Sequence, residues 1–428
     1  MTRTFSICNL GCKVNMYEAE SIACMLEKKG WQRVDFEEKC DAALIFTCAV
    51  TNTAASKSRK MMHRVKRNNP AGICVMVGCY AQLDDGMLED AEIIVGTAHK
   101  MRVPEYLEEY LEKGEKIRDI EPFEETPFEA LVTDRFENRT RAYLKIQDGC
   151  NQFCTYCVIP FARGRERSMA PDRVIEEARK ITRTHSEIVL TGIHTGRYGK
   201  EHGVTLTQLI RRLLDEVPDL KRLRISSIEV TEVTDELIAM MKEEKRIARH
   251  LHIPLQSGCN ETLKRMGRPY STEAYYDRIK WIREQLDDVA ISCDLIVGFA
   301  GETEEEFANT LAFCEKCEFA FMHVFPFSVR NGTKAEKMKN QVPPQVKKER
   351  ARIAGALSMK CRDVYGISRL GTQAEVILEQ KEGEYYSGYT SDYIPVLVRS
   401  EKQQGDMITV TLSEYKEHQM YAKEENSL

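Results

Sequence analysis

From residue 141 to residue 325 the chain repeats one pattern six times: a short β-rich run and then, for most of the runs, a helical stretch. The runs fall at 142–147, 187–190, 222–226, 250–255, 290–297 and 321–325, with helical segments at 172–184, 205–216, 235–244, 272–285 and 304–317. Starts recur every 25 to 45 residues or so, as a strand-plus-helix unit requires. A closed β/α barrel needs eight such units, so six predict an open, partial (β/α)6 barrel over residues 138–367. A basic helix at 345–362 is expected to pack outside it.

The flanks read differently. Residues 1–114 alternate β-rich runs (4–10, 42–47, 73–78, 92–96) with helical stretches, the pattern of a parallel α/β sheet domain. Residues 115–137, acidic and aperiodic with Pro122 and Pro127, read as a linker. In 368–428 short alternating strands with polar turns predict a small antiparallel β-barrel. The fold class is therefore α/β multidomain, in keeping with 428 residues, too many for one core. No apolar run approaches the roughly 18 residues of a membrane span, and the first residues lack a secretory h-region. No membrane partner and a reducing, cytoplasmic setting are expected, which leaves 15 cysteines available for metal or redox chemistry rather than disulfides.

Three of them, Cys150, Cys154 and Cys157, form CxxxCxxC just past the first strand of the central region. Three thiolates on one tight loop can hold three irons of a [4Fe–4S] cube and leave the fourth open. A zinc knuckle or chance clustering are the other readings, and zinc wants a fourth ligand that is not nearby. The remaining barrel strands also end in polar or glycine residues, where barrel active sites sit. Thr191 and Gly192 follow the second, Ser226, Ser227 and Glu229 the third, Gln256 the fourth, and Gly298 to Glu302 the fifth. Cys12, Cys48 and Cys79 each close a predicted strand of the N-terminal sheet. Read bare, these three are buried structural thiols more readily than ligands.

CxxxCxxC after the first strand of a partial β/α barrel resembles the radical S-adenosylmethionine superfamily. Gly11-Cys12-Lys13-Val14-Asn15, Thr47-Cys48-Ala49-Val50-Thr51 and Gly78-Cys79-Tyr80-Ala81-Gln82 resemble the N-terminal signature of the methylthiotransferases. That family joins such a domain to a radical core and a C-terminal RNA-binding TRAM barrel, and the three parts match in order along nearly the whole chain. The resemblance implies two [4Fe–4S] clusters: a radical-generating one on Cys150, Cys154 and Cys157, and an auxiliary, sulfur-handling one on Cys12, Cys48 and Cys79. It implies S-adenosylmethionine both as source of a 5′-deoxyadenosyl radical and as methyl donor, with Thr191, Gly192, Ser227, Glu229 and Gln256 around it. It also implies an electron donor and a sulfur source.

The GCKVN and TCAVT strings, with IQDGC before the core cysteines, are most similar to the branch acting on threonylcarbamoyladenosine. The expected substrate is that nucleoside at position 37 of ANN-decoding tRNA. The same reaction on isopentenyladenosine, and a non-enzymatic iron–sulfur redox sensor that binds RNA, are the alternatives. Net charge is −5, so RNA contact must be local. Lys57, Arg59, Lys60, Arg64 and Arg67 lie in a run of 11 residues without an acid and are the expected contacts. The tail is acidic, with 6 Lys/Arg against 11 Asp/Glu in 369–428; its Tyr385, Tyr386, Tyr389 and Tyr393 either stack on bases or pack the barrel. Cys314 and Cys317 read as core thiols, and His194 and His252 as scaffold histidines.

Overall fold

The computed structural model describes residues 2–425 other than 85, 122–126, 132, 134, 135, 137 and 138. The N-terminal region is a parallel sheet of β1 (Thr4–Asn9), β2 (Gln32–Arg33), β3 (Ala42–Thr47), β4 (Ile73–Gly78), β5 (Ile93–Val95) and β6 (Ile117–Asp119), in the order β2-β1-β3-β4-β5-β6. β3 and β4 are buried at every position, as strands covered on both faces must be, and so read as unbroken apolar runs. Phe5, Leu44, Phe46 and Val75 pack on the layer containing α1 (Lys13–Lys28). Ala43, Ile45, Cys74 and Met76 pack on the layer containing α2 (Asn52–Asn68). β6 lies inside the stretch read as a linker; residues 122–126 of that stretch, and several up to 138, lie outside the described residues.

In the central region β7 (Arg141–Lys145), β8 (Glu187–Thr191) and β9 (Arg222–Ile225) pair in parallel, as do β10 (His250–His252), β11 (Ala290–Val297) and β12 (Phe321–Pro326). The bridges Leu223↔Ile247 and Ser227↔His252 join the two halves, so six strands in chain order curve into an open barrel. Its helices start where the sequence supplies caps: Thr205 and Thr303 make full capping boxes with Gln208 and Glu306. Cys314 and Cys317 are buried in the main core. The long helix α3 (Pro344–Ser368) lies outside the barrel, where the Ser358 hydroxyl donates to the Met322 carbonyl at 2.8 Å.

The C-terminal strands β13 (Gln373–Glu382), β14 (Tyr385–Thr390), β15 (Pro395–Arg399), β16 (Met407–Lys416) and β17 (Gln419–Glu424) close into a barrel in the order β13-β14-β15-β17-β16. It docks on the end of the central barrel where the strands begin. Arg222 donates to the carbonyls of Glu375 (2.9 Å) and Tyr389 (3.2 Å), Arg224 to those of Thr390 (3.1 Å) and Ser391 (3.0 Å). Tyr389 and Tyr393 are taken up in this contact, while Tyr386 lies in the small barrel's own core. Among the described residues no helix is long and apolar enough to cross a membrane.

Candidate functional site

The end of β7 delivers three cysteines to one loop. Gln147 and Asp148 are buried, and Gly149 follows at φ 72°, with the Arg165 carbonyl 1.9 Å from where a Cβ would stand. Only glycine fits there. The loop is tied by its backbone: the Cys150 N–H donates to Gly164 (3.1 Å), Thr155 to Met266 (2.9 Å) and Cys157 to Cys154 (3.0 Å). All three thiols are free. Burial pushes the Cys157 thiol up to about 12, so at neutral pH it ionises only against a compensating cation or metal.

Two residues close on this loop. An Arg268 Nη1–H donates to the Cys154 sulfur (3.4 Å), its Nη2 pairs with Glu229, and its Nε–H donates to the Tyr270 hydroxyl (3.1 Å). His194 places Nδ1 3.5 Å from the Cys150 sulfur and Nε2 2.9 Å from a Glu232 oxygen. The sequence gives no motif for Arg268; for His194 the one signal is its place in the polar string after β8.

The residues expected around S-adenosylmethionine divide. Gln256, at φ 66°, lines a cavity of about 230 Å³ with Tyr156, Cys157 and Asp294, to which the N-terminal domain adds Val50 and Thr51. Glu229 reaches the same neighbourhood through Arg268. Thr191 is buried, its carbonyl accepting from the Ile146 N–H at 2.9 Å, and a Cβ on Gly192 would meet the Gln147 side chain at 2.9 Å. These two pack against the strand that carries the cysteine loop. Ser227 is exposed and bridges to His252.

Cys12, Cys48 and Cys79 follow β1, β3 and β4, which are neighbours in the sheet. Cys12 stands at the N-terminus of α1, and Cys79 opens a short helix after Gly78 at φ 105°. The strand ends are knotted by two polar side chains. The Asn15 amide donates to the Thr47 carbonyl (2.9 Å), and the Thr47 hydroxyl accepts from the N–H groups of Tyr80 and Ala81 (3.1 Å each). Burial pushes the Cys79 thiol up to about 11, and the neighbouring Cys12 and Cys48 add to the rise.

Beneath the second trio lies a buried charge cluster shared between domains. Glu18 is fully buried and meets Lys145 at 2.7 Å and Arg163 at 2.8 Å, both from the central region, and Lys100 at 3.5 Å. Lys145 also reaches Asp148 at 2.7 Å. The carboxyl of Glu18 is held well below its ordinary range, because these cations outweigh the burial that would raise it.

The donor set suits iron–sulfur clusters better than single ions. Neither trio gathers its sulfurs within 4.8 Å of one another; among the described residues only His99, Asp119 and Glu121 meet that limit. Tetrahedral zinc would hold thiolate sulfurs about 3.8 Å apart, whereas a cube ligated at its corners spreads them wider.

The basic helix α2 is partly spent on internal pairs. Arg59 donates to the Tyr80 hydroxyl at 2.6 Å and Arg64 pairs with Glu37. Lys57, Lys60 and Arg67 remain exposed.

Comparison with known proteins agrees with this geometry. The radical SAM superfamily model matches residues 144–314, and that of the uncharacterized protein family UPF0004 matches residues 4–96. Among solved structures, the radical S-adenosylmethionine methyltransferase TsrM from Kitasatospora setae superposes with a TM-score of 0.56 at 15% identity, over 76% of this chain and 75% of that one, a likeness of fold. The threonylcarbamoyladenosine tRNA methylthiotransferase MtaB of Bacillus subtilis is 40% identical over 96% of this chain and 93% of its own length. MtaB of Aquifex aeolicus is 34% identical over 94% and 98%. A tRNA-2-methylthio-N(6)-dimethylallyladenosine synthase of Clostridium perfringens is 34% identical over 84% and 83%.

Fold and cysteine loop thus define a radical S-adenosylmethionine enzyme. Within that class the chain belongs to the tRNA methylthiotransferase family, which uses S-adenosylmethionine and [4Fe–4S] clusters. It is an enzyme acting on tRNA, which sets aside the sensor reading.

Proposed function

We propose that the enzyme methylthiolates C2 of N6-threonylcarbamoyladenosine at position 37 of ANN-decoding tRNAs. The observation that carries this choice of nucleoside is Lys13. Its ammonium makes no hydrogen bond or ion pair with any described residue. Burial disfavours its charge, Tyr393 and Cys12 favour it, the Arg141 and Arg224 guanidinium groups oppose it, and His250, His323 and Asp294 stand within its field. Asp294, the nearby carboxylate, faces His252 at 3.3 Å and lines the cavity beside Cys157. A half-buried cation without a partner favours an anionic ligand. The threonylcarbamoyl group carries a carboxylate; the isopentenyl group carries no charge. The names of the Bacillus and Aquifex relatives support the same reading, while that of the Clostridium relative favours the isopentenyl nucleoside as the second reading.

In this reading Cys150, Cys154 and Cys157 hold the radical-generating cluster, and Cys12, Cys48 and Cys79 the sulfur-handling one. When bound, the first supplies the electron that cleaves S-adenosylmethionine and so opens an inert C–H to sulfur insertion. Arg268 and His194 neutralise and orient the thiolates of Cys154 and Cys150. Glu229 and Gln256 border S-adenosylmethionine, and Thr191, Gly192 and Ser227 support that border. Lys57, Lys60 and Arg67, with Arg59 and Arg64 beside them, meet tRNA phosphates. Residues 1–114, 138–367 and 368–428 act as sulfur-handling, radical and RNA-holding domains, with an electron donor and a sulfur source from the cytoplasm.

The test is nucleoside mass spectrometry of bulk tRNA from cells with and without the gene. Loss of 2-methylthio-threonylcarbamoyladenosine alone is the expected result. Loss of the isopentenyl product instead would overturn the choice of nucleoside.

A further inference from the structure

Arg163 belongs by sequence to the central domain, at the end of the short helix Ile159–Arg163 that follows Cys157. Its side chain leaves that domain and is buried under the strand ends of the N-terminal one. There its Nε–H donates to the Cys79 sulfur at 3.1 Å. One Nη donates to Asn15 Oδ1 (2.7 Å) and Glu18 Oε2 (3.1 Å), the other to Glu18 Oε1 (2.8 Å) and Asp148 Oδ1 (3.3 Å). Every edge of the guanidinium is occupied, as its rigid fork of five donors requires when buried. One cation therefore touches a cysteine of the second trio and Asp148, the residue two before Cys150.

The charges explain why it sits there. The cluster contains Lys100, Lys145, Arg163 and Arg167 against Glu18, Glu129 and Asp148. Four cations face three carboxylates, a surplus of one positive charge, and Arg163 is the cation that touches the Cys79 sulfur. Uncompensated, it would be costly to bury; a thiolate at Cys79 balances it. Hydrogen bonds and positive charge at a ligating sulfur favour the reduced form of a cluster and raise its potential.

We infer that Arg163 is a positioning residue for the auxiliary cluster, fixing Cys79 against the radical site and setting the auxiliary cluster's reduction potential. This rests on the reading that Cys12, Cys48 and Cys79 hold a cluster. The test uses the full chain carrying Cys150→Ala, Cys154→Ala and Cys157→Ala, reconstituted with iron and sulfide without air, so that any cluster signal comes from the N-terminal trio. Its potential is titrated with dithionite and followed by electron paramagnetic resonance.

Adding Arg163→Gln is expected to move the midpoint to more negative values, with Arg163→Lys, which keeps the charge and loses the fork, in between. A folded Arg163→Gln protein that fails to take up iron while its parent does also supports the assignment, through positioning. Should Arg163→Gln not fold, the pair Arg163→Gln with Glu18→Gln removes one charge of each sign, and a smaller shift in the same direction is expected, from the hydrogen bond lost at Cys79. An unchanged midpoint and spectrum in a folded variant would overturn the role of Arg163. A parent without iron would instead overturn the cluster reading beneath it.

Discussion

The ring of Tyr393 lies 4.8 Å from that of His250 and within 14° of parallel, so a residue of the C-terminal barrel stops the end of the central one. Tyr389 (4.8 Å) and Phe321 (5.9 Å) flank the same ring, and the Arg224 guanidinium stands 4.8 Å over it. Tyr393→Ala should cost about 2 to 3 kcal/mol through lost burial and stacking, read as a lower midpoint in urea. Tyr393→Phe keeps the stack and should cost about 1 kcal/mol. Equal losses in the two would place the energy in the hydroxyl instead.

Acid should loosen the same junction. Burial alone would raise the Glu187 carboxyl, but the guanidinium groups of Arg224 and Arg222 outweigh it and hold it below its ordinary value. A group depressed on folding contributes stability that is present above its unfolded pKa and lost as pH falls through the folded one. Hydrogen exchange at Thr390 and Ile394, whose N–H groups are bonded across this turn, should therefore quicken as pH drops below about 4.3, the ordinary glutamate value, after correction for intrinsic rates. Glu187→Gln should flatten that dependence; an equally steep acid response in the variant would locate the effect elsewhere.

The two cysteine trios should separate by product. Cys154→Ala is expected to abolish both 5′-deoxyadenosine and methylthiolated tRNA. Cys48→Ala should still release 5′-deoxyadenosine but form no methylthio product, as measured by chromatography after anaerobic reaction. Full thiolation by Cys48→Ala would remove the second trio from sulfur handling.

Lys13→Gln deletes the cation offered to the threonyl carboxylate. A charge-assisted contact of about 1.5 to 3 kcal/mol corresponds to roughly 10- to 100-fold in affinity. Fluorescence anisotropy with anticodon stem-loops should show that loss for the threonylcarbamoyl-modified RNA and little change for the unmodified one. A uniform loss on both would make Lys13 a general RNA contact.

Replacing Lys57, Lys60 and Arg67 together by Gln should weaken tRNA binding and flatten its salt dependence. Each lost phosphate contact reduces the slope of log K against log salt by about 0.7 to 0.9. An unchanged slope would leave α2 as a solvated face.

The β/α alternation was legible because buried parallel strands and amphipathic helices impose their periods on the sequence. So was the loop of Cys150 to Cys157, where spacing alone brings the thiols together. Cys12, Cys48 and Cys79 were legible only as strand ends; their adjacency depends on the strand order β1-β3-β4. Arg163, Arg268 and His194 left almost no trace, since a lone arginine or histidine acquires meaning from what a distant part of the chain presents to it: the N-terminal domain for Arg163, other loops of the central barrel for Arg268 and His194. The tyrosines show the same limit: Tyr389 near the end of β14 and Tyr393 in the turn after it, at φ 69°, face a partner surface supplied by Arg222, Arg224 and His250. β6 was hidden by its three-residue length inside an acidic stretch.

Glu18 bears on how such a chain can be cut or recombined. A fragment ending before residue 138 would keep this carboxylate and lose Lys145 and Arg163, leaving a buried anion with Lys100 as its remaining close cation. The N-terminal sheet and the radical barrel, though separate in pattern, are thus one heritable unit. A chimaera drawn from two relatives would need to take both sides of the Glu18 contact from the same parent, and an exchanged five-stranded barrel would need to bring its own Tyr393 and Glu379 to meet His250 and Arg141.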